Sequence, residues 1–321
     1  MKRLFAFFAL LAVSTAGPAA AQTWPVKPVR LIVPYAAGST PDIVGRILAE
    51  NLQAKHQGIN VIVENRTGAG GNTGTDAVAK AEPDGTTIGI SLGGPLAINT
   101  LLFSKLPYDP AKDIAPVSML TTLPSVLVVP SSLGVNSVAE FLALLKRNHT
   151  SVAFGSIGIG SLSHLTMEAI AQRAGAKLLH IPYAGSPQAV TAVIRGDVQA
   201  ACLPAISVTP QLATGAVKIL AVSTSKRSPH LPNVPTLKES GIDVESDAWN
   251  ALIAPGGTPR AIIEAINADV REILGKQEVR EKLKVQLIDA APSSPEDLRA
   301  RIDAEIRLWA DVIKSADIKI N

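Results

Sequence analysis

The sequence has 321 residues, of which 47% are hydrophobic, 18% charged and 4% aromatic. This composition excludes a disordered chain and a small disulfide-stapled domain, and the length suits one large domain or two of medium size. The formal net charge of +3 comes without a basic block, so nothing in it indicates a nucleic-acid partner. The single cysteine, Cys202, excludes an internal disulfide and a zinc site built on cysteines.

The first 21 residues are typical of a secretory signal peptide. Lys2 and Arg3 give a positive start, residues 4–13 are apolar, and 19–21 form a small-residue cleavage pattern before Gln22. A membrane-spanning helix needs about 20 apolar residues, so an N-terminal anchor is the weaker alternative. We therefore expect an exported protein, located in a periplasm, whose mature part begins at residue 22.

Predicted strands and helices alternate along the mature part. After a first strand at 29–33, Thr40 before Pro41 predicts the N-cap of a helix, and Ser137 with Glu140 forms a capping box further on. The alternation of strand, glycine-containing loop and helix predicts βαβ units and parallel sheets. The other strands are predicted at 60–64, 87–92, 126–129, 152–154, 178–181, 198–202, 219–222 and 249–254, and two long helices at 259–283 and 295–315.

Four loops in which a strand leads into a helix carry the candidate chemistry: 34–42, 68–72, 93–95 and 155–164. Open α/β sheets bind ligands at the carboxyl ends of their strands, where helix N-termini offer unpaired N–H groups. Glycine lets a ligand approach that backbone closely. One such loop alone is better explained as a tight turn, but four together predict a site for carboxylate or phosphate oxygens.

Motifs spread in order over nearly the whole mature part resemble the Bug family of periplasmic solute-binding proteins. These proteins are the extracytoplasmic receptors of tripartite tricarboxylate transporters. The segments that carry the resemblance include 34–38 with Asp42, 64–71, 83–85, 106–110, 156–164, 180–183, 232–236 and 254–259.

The resemblance implies an α/β protein with the two-lobed type II periplasmic-binding-protein fold. Each lobe is expected to be a mostly parallel sheet flanked by helices, with a hinge between the lobes. We expect the first lobe at 22–122 and 225–321 and the second at 123–224. The implied function is that of a receptor, not an enzyme, which works as a monomer without a cofactor or metal. Its partners would be a small carboxylate and the membrane permease subunits of the transporter.

The loops and the resemblance together predict the ligand site. Ser39 and Thr40 would donate from the first lobe, and Ser156 and Ser161 from the second. Tyr35, Tyr183 and Trp249 are the rings available to wall the cleft, although packing between the lobes is the better interpretation of Trp249. The predicted site residues are Tyr35, Ala37, Gly38, Ser39, Thr40, Asn72, Gly94, Ser156, Gly158, Gly160, Ser161, His164, Tyr183, Ala184 and Leu203.

The expected ligand is a dicarboxylate, either aliphatic or aromatic such as terephthalate. Family members that bind amino acids tend to carry an acidic residue after the strand near Val198, and Leu203 occupies that position here. A ligand ammonium would then lack a partner, which is costly in a closed cleft. Two alternatives stay open: an exported hydrolase using Ser161, for which His164 stands at a poor spacing, and a sensory co-receptor that presents its ligand.

Overall fold

The computed structural model describes residues 24, 25, 27–147, 152–183 and 185–318. The predicted signal peptide and Ala184 of the predicted site lie outside these residues. Within the described part, no helix combines the length and the apolar character that crossing a membrane requires.

Strands and helices alternate along the described chain. The strands are β1 (Val29–Val33), β2 (Val61–Asn65), β3 (Thr87–Leu92), β4 (Ile114–Leu123), β5 (Ser125–Pro130), β6 (Ala153–Ser156), β7 (Leu179–Pro182), β8 (Ala200–Pro204), β9 (Val217–Val222), β10 (Ala248–Pro255) and β11 (Asp289–Ala290). The helices are α1 (Thr40–Lys55), α2 (Asn72–Ala79), α3 (Asn99–Leu102), α4 (Val138–Arg147), α5 (Leu162–Ala174), α6 (Ser186–Arg195), α7 (Ala205–Leu212), α8 (Arg260–Gly275), α9 (Gln277–Lys284) and α10 (Pro295–Ser315). Short helical turns at Ala69–Gly71, Gly94–Ile98 and Ser131–Leu133 complete the set.

The strands form two sheets. The first has the order β11-β4-β10-β3-β1-β2, and the second has the order β7-β6-β8-β5-β9. In the first sheet β1 pairs in parallel with β2 and β3, whereas β10 runs antiparallel to β3 and β4, and β11 runs antiparallel to β4. In the second, β6 is parallel to β7 and β8, whereas β5 is antiparallel to β8 and β9.

Both sheets are therefore mixed, and the expectation of mostly parallel sheets is wrong. The βαβ pattern correctly predicts the parallel pairs, because a helix connects each strand to the next. β5 and β10 are the strands that follow the two crossings of the chain between the sheets. Each of them runs antiparallel to the strands beside it.

Two predicted helix boundaries also differ from the structure. Ser39, not Thr40, stands at the N-cap of α1, with extended backbone angles (φ −71°, ψ 160°). The helix predicted over 259–283 is two helices, because Lys276 adopts extended angles (φ −66°, ψ 133°) between α8 and α9. The last helix begins where predicted, and the Ser294 hydroxyl caps it by accepting a hydrogen bond from the Asp297 N–H (3.0 Å).

Each sheet has its own buried core, and α10 reaches both. Leu298 and Ile302, in its first half, pack in a cluster with residues of the first sheet. Trp309 and Val312, in its second half, pack in the cluster that contains β5 and β6 residues of the second sheet. The C-terminal helix thus connects the two halves of the molecule in addition to the chain crossings.

The main chain crosses between the sheets at two places. It leaves the first sheet between β4 and β5 and returns between β9 and β10. Residues after β9, including Leu237 and Val244, still pack in the second core. The lobe boundaries at 122/123 and 224/225 stay a prediction, because packing and sheet membership divide this stretch differently.

Candidate ligand-binding cleft

A cavity of about 440 Å³ lies between residues of the first sheet with its loops and the segment 157–162, which follows β6 of the second sheet. Its volume falls within the range of small-molecule sites, roughly 300–1,000 Å³. One wall carries apolar side chains of the segments 98–103 and 157–162, and glycines bring the backbone to its surface. The lining residues are Tyr35, Gly70, Leu92, Gly93, Gly94, Ile98, Asn99, Leu102, Phe103, Ile157, Ile159, Gly160, Ser161, Leu162, Asp247, Ala248, Trp249 and Glu305.

The first-lobe loop is held by a buried carboxylate. Asp42 accepts hydrogen bonds from the Gly38 N–H (2.8 Å), from the Arg46 guanidinium (2.9 Å) and from the Asn65 amide (2.8 Å). Although burial opposes ionisation, these three donors keep the pKa of Asp42 below its usual range. Asp42 therefore shapes the loop at the start of α1 and does not offer its carboxylate to an anion.

Tyr35 connects this loop to the glycine loop that precedes α2. Its hydroxyl donates to the Gly70 carbonyl (2.9 Å), and both residues line the cavity. Behind them Asn72 is buried, and its side-chain oxygen accepts from the Asn99 amide (2.7 Å) and the Tyr108 hydroxyl (3.0 Å). Asn72 thus organises the loop from below, while Asn99 reaches the cavity.

The second-lobe loop ends at a capped helix N-terminus. Ser161 is the N-cap of α5: its hydroxyl accepts from the His164 N–H (3.3 Å) and donates to the Gly158 carbonyl (2.7 Å). Gly158 and Gly160 have positive φ angles (125° and 73°), a conformation that favours glycine. Because Gly160, Ser161 and Leu162 line the cavity, the positive end of the α5 dipole faces it.

A pair of stacked histidines supports this loop from inside the second lobe. The rings of His164 and His180 are stacked, with their centroids 3.7 Å apart and their planes nearly parallel (10°). His164 Nδ1 accepts the Gly160 N–H (3.1 Å), and His180 Nε2 lies 2.6 Å from the Ser156 hydroxyl. Burial, together with the neighbouring His164, lowers the pKa of His180 to about 4.

The cavity floor carries carboxyl groups on either side of an arginine. Glu305 is 5% exposed, and its Oε1 accepts from the Trp249 indole (2.6 Å) and the Arg301 guanidinium (2.8 Å). Arg301 also donates to Asp247 (2.7 Å) and Glu245 (3.0 Å). Burial raises the pKa of Glu305 above its usual range, against the attraction of Arg301. Glu305 and Asp247 line the cavity. Asp247 also lines a second groove, of about 620 Å³, together with Arg301 and Glu245, which are absent from the cavity lining.

Four of the predicted site residues line the cavity: Tyr35, Gly94, Gly160 and Ser161. Ala37 and Gly38 are exposed outside its lining, and Thr40 lies in the first turn of α1. Ser39 also lies outside the lining, and its buried hydroxyl makes no hydrogen bond within the described residues. Gly158 and His164 act on the loop from behind, as Asn72 does in the first lobe.

Three predicted contacts stand elsewhere in the structure. The Ser156 hydroxyl is fully buried between His180 and the Gly158 N–H, so it holds the loop instead of facing the cavity. Tyr183 lines a different surface groove with Pro187. Leu203 is fully buried in a core cluster of the second sheet, which means that it does not form an apolar wall of the cavity.

Outside the four candidate loops, most of the cavity residues that the sequence analysis missed belong to the segment 98–103, to α10 and to the chain at the start of β10. The segment 98–103 follows the 93–95 loop and looks like ordinary core sequence, which gave no signal. Asp247 and Glu305 are 58 positions apart, and only the fold brings them together. The sequence analysis gave two interpretations of Trp249, as a wall of the cleft or as a residue packed between the lobes. In the structure Trp249 is 2% exposed and also lines the cavity.

Ser161 and His164 are not arranged as a nucleophile and its base. The contact between them runs from the His164 backbone N–H to the serine hydroxyl, while the imidazole accepts from Gly160. A catalytic serine needs a ring nitrogen within hydrogen-bond reach of its own oxygen. The described residues also contain no group of three His, Cys, Asp or Glu side chains placed to hold a metal ion.

Two mixed sheets with helices on their faces, and a cavity between them built from loops at strand ends, define the class of two-lobed solute-binding proteins. Residues 44–318 match the family model described as the tripartite tricarboxylate transporter family receptor. The chain belongs to this family, whose members bind substrates without transforming them.

Individual relatives agree over almost the full length. The chain is 36% identical over 325 residues to protein BugT of Bordetella pertussis, covering 100% of this chain and 99% of that protein. It superposes on the structure of R. palustris Rpa4515 with adipate with a TM-score of 0.76 and 33% identity, over 92% of this chain and 99% of that one. For MatC from Rhodopseudomonas palustris with bound malate, the TM-score is 0.71 and the identity 30%, over 90% and 100% of the two chains.

Proposed function

We propose that this protein captures a small dicarboxylate, aliphatic or aromatic, in the periplasm and delivers it to the permease subunits of a tripartite tricarboxylate transporter. The observation that carries the proposal is the cavity between the sheets, with the α5 N-terminus and glycine loops at its surface and apolar side chains between them. Adipate and malate, held by two similar proteins, are both dicarboxylates. Residues 1–21, as a cleavable signal peptide, would provide export.

The arrangement suits a ligand with carboxylates at its ends and hydrocarbon between them. Backbone N–H groups at a helix N-terminus stabilise a carboxylate without a neighbouring lysine or arginine. Ile98, Leu102 and Ile157 offer an apolar surface to the hydrocarbon. Selectivity for the chain length of the ligand would then come from the distance, after the lobes close, between the N–H groups at the α5 N-terminus and those of the glycine loops on the opposite side of the cavity.

Calorimetric titration of the purified protein against a panel of diacids, monoacids and amino acids tests this proposal. We expect saturable binding of one or more diacids, without turnover of the ligand. Binding of monocarboxylates alone, or of no carboxylate in the panel, would contradict it.

A glycine variant tests the place of binding. A Cβ at Gly94 would meet no atom within 4 Å, because it would point into open space at the cavity surface. Gly94→Leu is therefore expected to keep the fold and to weaken diacid binding at least tenfold, or about 1.4 kcal/mol, by occupying the ligand's volume. Gly275→Leu, at another glycine with open space around it but outside the cavity, is the matched control. Equal affinities of the two variants would place the ligand elsewhere.

A further inference from the structure

We propose that Glu305 determines ligand selectivity by accepting a hydrogen bond from a hydroxyl or ammonium group on the hydrocarbon body of the ligand. This inference rests on the proposed function, because it names which carboxylates the same cleft prefers. The favoured ligand is then a hydroxy- or amino-substituted dicarboxylate rather than a plain one.

One oxygen of the Glu305 carboxyl group, Oε2, receives neither of the two hydrogen bonds that hold this side chain. Both hydrogen bonds to its carboxyl group, from the Trp249 indole and from Arg301 Nε, converge on Oε1. Oε2 lies beside Gly93, 3.0 Å from the point at which a Cβ of that residue would stand. Gly93 and Glu305 both line the cavity. A residue with a side chain at position 93 would crowd this oxygen, whereas glycine leaves it accessible.

Burial raises the pKa of Glu305, but the donors around it act in the other direction and favour the ionised form, which accepts hydrogen bonds. A guanidinium and an indole N–H both donate to Oε1, and each bond is stronger to the ionised form than to the neutral acid. The charges that face Glu305 are Arg301 on its own helix and Asp247 on the segment before β10, with Glu245 on the far side of Arg301. One guanidinium thus faces three carboxylates, and the floor carries a surplus of negative charge.

That surplus decides which part of a ligand belongs at the floor. A ligand carboxylate beside Glu305 and Asp247 would meet like charges in a partly dehydrated cavity, which is unfavourable. The lining residues of the described chain include no lysine, arginine or histidine that could offset this. The carboxylates are therefore directed to the loop N–H groups, and a buried acceptor at the floor needs a donor from the ligand, since leaving it unpaired weakens binding.

The position of Leu203 does not argue against an ammonium group on the ligand. Leu203 is buried away from the cavity, so its apolar side chain says nothing about the ligand. The acidic partner that the segment after Val198 lacks is supplied by α10 instead. A hydroxyl group and an ammonium group can each donate to Oε2. Titration with malate and with aspartate distinguishes these two kinds of donor.

Calorimetry with matched ligands on the wild type and on Glu305→Gln tests the proposal. Succinate, malate and aspartate form one series, and adipate with 2-aminoadipate forms a second for a longer cleft. We expect the wild type to bind a substituted diacid at least tenfold more tightly than the plain diacid of the same length. In Glu305→Gln, which keeps an oxygen for Trp249, we expect this preference to fall below threefold, because substituted diacids lose more affinity than plain ones.

Glu245→Gln is the matched control, because it removes another carboxylate from Arg301 but lies outside the cavity lining. It is expected to keep the preference. Equal affinity of the wild type for plain and substituted diacids would overturn this inference but not the proposed function. An equal loss of affinity for all ligands in Glu305→Gln would have the same consequence. Uptake of a proton with plain diacids, seen as buffer-dependent heats, would show a protonated Glu305 donating to a carboxylate and would also overturn it. Binding of no diacid by the wild type would overturn the proposed function as well.

Discussion

Single side chains behind the cavity keep the second-lobe loop in shape. Ser156, His164 and His180 are absent from the cavity lining. Ser156 and His164 accept hydrogen bonds from the backbone N–H groups of Gly158 and Gly160, and His180 holds the Ser156 hydroxyl in place. A loop of small residues has few contacts of its own, so its conformation depends on such supports. Substitutions here are expected to change affinity indirectly, through the position of the α5 N-terminus.

The low pKa of His180 predicts acid sensitivity of the fold. Its folded pKa of about 4 lies below its ordinary value of 6.5, so between these pH values the unfolded chain binds a proton that the folded protein does not. The stability contributed by neutral His180 is present above pH 6.5 and is lost as the pH falls towards 4. We expect a loss of about 1 kcal/mol, less than the full pKa shift implies because the ring is only half-buried. Urea unfolding at pH 7 and pH 4.5 measures it.

His180→Gln separates this residue from the other titrating groups. The variant is expected to be less stable than the wild type at pH 7, because it loses the stacked ring. Its further loss between pH 7 and pH 4.5 should be smaller than that of the wild type. An identical pH dependence for both proteins would show that His180 does not titrate in this range.

Only part of the site could be predicted from the sequence, for a physical reason. Tyr35, Gly94, Gly160 and Ser161 belong to loops at strand ends, which is where open α/β sheets bind their ligands. Ser156 belongs to the same loop as Gly160 and Ser161, but the sequence does not show whether its hydroxyl points towards the cavity or into the protein. In the structure it points to His180. Glu305 lies in the middle of an amphipathic helix, where an isolated acid looks like part of a solvated face until its neighbours are known.

At the scale of elements, the close approach of α2 to β1 sets the position of the glycine loop. Gly74 in α2 is buried, and a Cβ there would stand 2.6 Å from Pro34 Cα and 2.9 Å from the Arg66 carbonyl oxygen. Backbone atoms cannot yield as a flexible side chain does. The helix can therefore lie this near to the end of β1 only because residue 74 has no side chain.

Gly74→Ala is expected to destabilise the protein by about 1–3 kcal/mol, the usual cost of overpacking, and to weaken ligand binding by shifting the preceding loop. The control is Gly275→Ala at the end of α8, where a Cβ meets nothing within 4 Å. Alanine is the better helix former, so that variant should be neutral or slightly more stable. Thermal unfolding of both proteins measures the difference, and equal midpoints would contradict the packing argument.

Some of the elements that the sequence analysis missed interrupt their own pattern. The ten-residue strand β4 contains Pro116, Ser118 and two threonines near its end, so it lacks a continuous apolar run. Helix α7 contains Pro210, which ordinarily argues against a helix interior. The apolar spacing of α8 continues into α9, so the sequence predicts one continuous helix where the structure has a break at Lys276. In each element, packing against the rest of the fold outweighs local propensity.

At the scale of the whole molecule, α10 ties the two halves together. Its first half packs with the first sheet, and Trp309 and Val312 in its second half pack in the second core. Motion between the lobes must therefore be accommodated along this helix and at the two chain crossings. Arg301, Asp247 and Glu305 lie where the helix, the return crossing and the cavity floor meet.

Ligand binding is expected to draw the lobes together, since hinge closure around a ligand is the usual motion of such receptors. Small-angle scattering should show a decrease of a few per cent from the radius of gyration of about 19 Å for a compact chain of this length. Gly94→Leu, measured with the same ligand, should show no decrease. An unchanged radius for the ligand-bound wild type would indicate a rigid protein that binds without closing.

The cation-free lining of the described cavity also sets how a ligand arrives. Backbone N–H groups attract a carboxylate only over the last few ångströms, and the Ser161 hydroxyl already donates to the Gly158 carbonyl. Arg301 is outnumbered by its own carboxylates. Long-range steering depends on net charge and extends over a Debye length of about 10 Å at 0.1 M salt. A dicarboxylate therefore reaches this cleft without electrostatic attraction from the lining. Added salt, which screens the carboxylates of the floor, is expected to leave the rate of capture unchanged or to raise it slightly.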